Sequence, residues 1–132
     1  MKLRETTLAS MLLLLAGCDV RFARPVFAAG GGQVENGLKL IEHFHCGSCH
    51  LIPGVQGAEG TVAPPLILFA KRGFIAGEVP NTQENLIRWI MSPQSIEEGT
   101  AMPELGLSDA QARDVAAYLY TLQSRNWFGE SK

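Results

Sequence analysis

The sequence predicts an all-α fold of three main helices joined by long loops, and three observations predict it. Apolar residues recur at helical spacing in three separate runs, within 33–46, 81–91 and 108–122. The intervening stretch 51–80 is rich in glycine and proline and lacks strand alternation, so it reads as a loop with at most one short helix near 66–71. Finally, Cys46-Gly47-Ser48-Cys49-His50 sets two thiols and an imidazole in a chain whose folded part spans only about 33–127. A domain that small has a limited core and often depends on a cofactor or cross-link.

Residues 1–17 read as an export signal. Lys2 and Arg4 form a positive start, and the apolar core at 8–16 is shorter than the ~20 residues that span a bilayer. Leu15-Ala16-Gly17-Cys18 resembles the lipobox of bacterial lipoproteins. That resemblance implies cleavage before Cys18 and lipid on its sulfur and amino group, which accounts for the odd third cysteine. Lipoproteins carry more than one acyl chain, as stable anchoring requires. The rival reading is an ordinary secretory signal cut after Ala28; it leaves Asp19, Arg21 and Arg24 in a long, charged interval before the cut. Residues 18–32, with Pro25 and Gly30-Gly31-Gly32, read as a flexible tether.

The first helix covers 33–46, with Leu38, Ile41 and Phe44 on one side and Gly37 allowing a close helix crossing. Its end meets the cysteine–histidine string. A structural zinc site needs four ligands, usually with a second Cys/His pair downstream, and no cysteine or histidine follows His50. A thioredoxin-like dithiol expects a βαβ setting, whereas Pro53 and Gly54 follow here. The remaining reading is haem: thiols two residues apart add to the two vinyl groups of the porphyrin, and the next residue offers its imidazole to the iron. His43 and His45 read as structural or exposed.

A proximal histidine leaves a sixth iron position, and Met91 and Met102 are the downstream candidates. Met91 lies within a helical run, where methionine is commonly core filler. Met102 lies in Gly99-Thr100-Ala101-Met102-Pro103, and Pro103 holds it extended, away from helix. Methionine–histidine ligation raises the haem potential and favours electron transfer over oxygen binding.

The second helix starts at Asn81, with Glu84 as capping partner, and stops before Ser92-Pro93. Its apolar side carries Leu86, Ile87, Trp89 and Ile90, where Trp89 is either plain core or pocket wall. The last helix starts at Ser108 with Gln111 as capping partner. Ala112, Val115, Ala116, Leu119 and Leu122 form its stripe, while Asp109 and Arg125 suit its dipole.

With these residues in place, the chain resembles a class I c-type cytochrome of the small bacterial monohaem kind over most of 33–127. Cys46, Cys49 and His50 match the attachment motif. Ala63-Pro64-Pro65-Leu66 is similar to the segment that follows it, which implies that the Pro64 carbonyl accepts the ring N–H of His50. Arg72 and Thr100 fall where the family contacts the haem propionates. Thr100-Ala101-Met102-Pro103 resembles the axial methionine segment, and Ala116-Ala117-Tyr118-Leu119 the terminal helix that packs over the first. Two positions depart: His45 stands where glycine is common and brings another imidazole beside the motif, and Ala63 replaces the glycine before the proline. The resemblance implies a small cytochrome c fold, three main helices with loops wrapped around one covalently bound haem c.

The expected function is one-electron transfer without catalysis of its own, since no Ser–His–Asp set or paired-carboxylate cleft is apparent. A net charge of −2 with no basic run argues against nucleic acid as a partner. The expected partners are redox proteins: a quinol-oxidising complex or dehydrogenase as donor and a terminal oxidase as acceptor. The expected place is the periplasmic side of the bacterial cytoplasmic membrane, anchored through Cys18, with a soluble periplasmic form as the alternative. Two other functions stay open. One is a haem-bearing subunit of a larger oxidase or dehydrogenase complex; the other is a five-coordinate haem sensor or enzyme, if Met102 does not ligate.

Overall fold

The computed structural model describes residues 31–123. The signal at 1–17, Cys18, most of the tether, Arg125 and Trp127 lie outside the described residues. The helices are α1 (Val34–His43), α2 (Gln83–Met91) and α3 (Asp109–Tyr120), with single 3-10 turns at Cys46–Ser48, Phe69–Lys71 and Pro93–Ser95. Among the described residues no helix is long and apolar enough to cross a membrane.

α1 and α3 form the centre of the fold. Gly37 makes their crossing possible, because a Cβ at this position would stand 2.0 Å from the Asp114 main-chain oxygen and 3.0 Å from the Tyr118 Cβ. Gln33 N–H also donates to the Asp114 carboxylate at 2.7 Å. The apolar stripe of α3 is inside: Ala112, Val115, Ala116 and Leu119, with Leu122 just past the helix end, are buried alongside Ile41 of α1 and Leu86, Ile87 and Ile90 of α2. α3 opens on a capping box: Gln111 N–H donates to Ser108 Oγ (3.3 Å) and Ser108 N–H to Gln111 Oε1 (2.9 Å).

Three expectations are corrected. α1 ends at His43 instead of reaching Cys46, because His45 turns left-handed at φ 54° and breaks the helical ladder, putting the motif on its own turn. α2 is capped by Thr82, whose Oγ1 accepts from Asn85 N–H at 3.2 Å. Asn81 has a different job, one its amide suits. It donates to the Phe69 and Arg72 carbonyls, both at 3.1 Å, and accepts from Tyr120 Oη–H at 2.9 Å. Finally, the loop contains a two-residue antiparallel hairpin, β1 (Phe74–Ile75) with β2 (Val79–Pro80), paired Phe74↔Pro80 and Ile75↔Val79. Strands this short show no alternation. The turn between them has positive φ at Ala76 and Gly77, with Glu78 N–H donating to Ile75 O at 3.0 Å. That turn type is normally signalled by Asn-Gly or Asp-Gly.

Tyr118 Oη–H donates to the Pro53 carbonyl at 2.7 Å, a buried bond 65 residues apart in sequence. Burial, with the Glu42 carboxylate second, pushes the phenol above its ordinary pKa, so it remains a donor. Tyr118→Phe leaves the buried Pro53 carbonyl unpaired. The expected loss is about 1–3 kcal/mol, read as a lower melting temperature of the haem-loaded protein.

Candidate haem site

The motif turn follows directly from the left-handed break at His45. His45 O accepts from Ser48 N–H (3.0 Å) and Ser48 Oγ–H (2.7 Å), and Cys46 O accepts from His50 N–H at 3.0 Å. Cys46 is half-buried and Cys49 exposed. The loop then folds back over the turn. Gly60 N–H donates to Gly47 O (3.0 Å), Ala63 N–H to Cys49 O (3.0 Å) and Leu66 N–H to Leu51 O (2.8 Å).

This fold-back delivers the Pro64 carbonyl to His50 Nδ1 at 2.8 Å. A carbonyl can only accept, so Nδ1 carries the proton and Nε2 keeps its lone pair for a metal. Arg72 is half-buried, and its guanidinium donates to the Pro65 carbonyl while lying 5.6 Å from the Phe69 ring centroid. Asn81 holds the Arg72 main chain from the other side. Thus Cys46, Cys49, His50 and Pro64 come together on one unit, with Arg72 bracing the next proline.

Thr100 and Met102 belong to a separate loop. Met102 is half-buried; its N–H donates to Thr100 Oγ1 at 3.4 Å, and its carbonyl accepts from Gln94 Nε2 at 2.9 Å. Glu104 accepts from Ser92 Oγ–H at 2.6 Å. Trp89 is half-buried and packs on the core, as is Met91. His43 and His45 are exposed. Sequence reasoning missed Gln94, Asn81 and Gly60. Each acts through a main-chain atom of a distant segment, and nothing in the local sequence announces such a contact.

The residues fit haem c. Burial pushes the Cys46 thiol above its ordinary pKa, with the neighbouring Cys49 adding to the rise against an opposing backbone hydrogen bond. A redox dithiol needs a lowered thiol pKa. Among the described residues no group of three or more His, Cys, Asp or Glu stands ready to hold a metal ion. The donors present are two thiols and one imidazole on a single turn, with the imidazole already set to the correct tautomer.

Comparisons with known proteins agree. The family model for cytochrome c matches residues 34–123. The chain is 35% identical over 90 residues to cytochrome c oxidase subunit 2 of Alkalihalophilus pseudofirmus, and 31% identical over 96 residues to that of Bacillus subtilis. Those matches take in 67% and 70% of this chain but only 25% and 27% of the relatives, so the chain spans about a quarter of their length. SoxXA from P. pantotrophus superposes with a TM-score of 0.57 at 25% identity, covering 70% of this chain and 83% of that one. Cytochrome c2 from Rhodobacter sphaeroides gives 0.50 at 19% identity, covering 71% and 98%, a likeness of fold alone.

The chain belongs to the cytochrome c family, as a class I c-type cytochrome with the cytochrome c fold. Its cofactor is covalently bound haem c, and membership of the family implies electron transfer.

Proposed function

We propose that this is a membrane-anchored monohaem carrier that passes single electrons to a terminal oxidase from a quinol-oxidising complex or dehydrogenase. Cys46 and Cys49 would hold haem c through thioether links, with His50 and Met102 as the ligands. Haem c supplies an iron that exchanges one electron between its ferrous and ferric states. The protein's own part is to hold. Pro64 keeps the His50 proton on Nδ1 and so leaves Nε2 free; Gln94 and Thr100 fix the Met102 backbone. The likeness to two oxidase subunits carries the assignment of the acceptor.

That same likeness also favours a second reading, a haem-bearing subunit of the oxidase complex. Lipid on Cys18 would keep the protein at the periplasmic face of the membrane, raising its effective concentration near membrane partners. Cys18→Ala is expected to release the protein from membranes or to block its maturation. Retention of a lipidated, normally processed Cys18→Ala protein would refute the anchor. Reduced purified protein should be reoxidised by oxidase-containing membranes in a detergent-separable, second-order reaction. Stoichiometric co-purification with the oxidase in detergent would instead select the subunit reading.

A further inference from the structure

Gly60 lies directly on the attachment turn. A Cβ there would stand 2.4 Å from the Cys49 carbonyl carbon and 2.7 Å from both Cys49 N and Ser48 C. These are main-chain atoms and cannot swing aside as a side chain would. The approach is mutual, since a Cβ on Gly47 would stand 2.5 Å from the Ala58 Cβ and 2.6 Å from its Cα. Gly60 has no left-handed φ, so the requirement at this position is space and not conformation.

The segment that needs this space also carries the carbonyl facing His50. Gly60 N–H is bonded to Gly47 O and Ala63 N–H to Cys49 O, and the next residue, Pro64, accepts from His50 Nδ1–H. Seat and restraint are one short piece of chain. Any side chain at 60 must lift that piece off the turn, and the lift stretches a 2.8 Å bond that weakens steeply with distance and angle.

We infer that Gly60 is a positioning residue for His50: its missing side chain seats residues 58–66 on the motif turn, and this seating sets the His50–Pro64 hydrogen bond. The inference rests on His50 being the axial histidine, which the haem mass and six-coordinate spectrum of the unaltered protein test separately. A weaker Nδ1–H bond makes the imidazole less basic and disfavours the ferric state, so the reduction potential rises.

The experiment compares Gly60→Ala with Gly73→Ala in the haem-loaded protein. Gly73 meets nothing within 4 Å and has no left-handed φ, so it reports the effect of a methyl group alone. Gly60→Ala should keep both thioether links by mass, raise the potential, and exchange the His50 Nδ1 proton up to about tenfold faster in the reduced protein. Gly73→Ala should match the unaltered protein in potential and exchange. Unchanged potential and exchange in Gly60→Ala, or an equal shift in both variants, would overturn the inference. If Gly60→Ala yields no haem-loaded protein, exchange in the unaltered protein decides. The Nδ1 proton should share one opening rate with the Gly60 and Ala63 amides; exchange through an opening that leaves those amides protected defeats the proposal.

Discussion

Met102→Leu should lower the reduction potential by a sizeable part of the ~0.8 V that axial ligation spans, and should open the ferrous protein to carbon monoxide. The argument turns on what the substitution leaves alone. Leucine matches methionine closely in volume, and such exchanges generally cost under about 1.5 kcal/mol of packing. The loop is also held by groups other than the thioether: Gln94 on the Met102 carbonyl, Thr100 on its N–H, and Ser92 on Glu104. A changed potential in a protein that still melts cooperatively therefore reports the lost sulfur and not a lost loop. Potentiometric titration and a carbon monoxide difference spectrum check it. An unchanged potential with no gas binding would remove Met102 as ligand and turn attention to Met91. That residue is the weaker candidate on structural grounds. It ends α2 and lines an open groove of ≈ 740 Å³ with Ile87, Arg88 and Arg113, a groove to which no residue of the motif turn contributes. Carbon monoxide binding by the unaltered protein would instead favour the five-coordinate alternative.

How much of this was legible in the sequence depended on the range of each interaction. The α3 cap was legible because a capping box is a local, four-residue device. The buried stripe of α3 was legible because periodicity records burial directly. The end of α2 was legible from Pro93. The end of α1 was not, since His45 takes a left-handed conformation that histidine does not advertise. Asn81 showed the limit of a capping rule. Asn and Thr stand side by side, both can cap, and the choice was settled by carbonyls of residues 69 and 72 and a phenol 39 positions away. The same holds at the site. The attachment motif is contiguous and could be read. What seats it, Gly60 against Cys49, is a contact between main chains, and one glycine in a glycine-rich loop looks like the next.

Gly37→Ala is expected to destabilise the haem-loaded protein by about 2 kcal/mol, the net of two opposed effects. In a helix interior alanine is favoured over glycine by ~1 kcal/mol, which alone would raise stability. Against this, the new methyl group would sit 2.0 Å from Asp114 O and 3.0 Å from the Tyr118 Cβ. The first is main chain of a helix buried along six of its residues, from Ala112 to Leu119, so α1 and α3 must part as whole bodies. Overpacking of this kind typically costs 1–3 kcal/mol and sometimes more. Parting the helices also withdraws Ile41 from the core and strains the Gln33–Asp114 bond, which places the sum on the destabilising side. For a domain of this size each kcal/mol is worth roughly 4–8 °C, so the melting temperature should fall by about 8–16 °C. The disturbance should reach the site from both ends of the crossing. α1 runs into the motif turn within three residues, and α3 holds the loop at Pro53 through Tyr118. A drop in melting temperature is therefore expected together with a shift in potential. A Gly37→Ala protein that melts at or above the unaltered temperature would mean that helix propensity outweighs the crossing, and that main-chain contact between α1 and α3 contributes little to holding this fold.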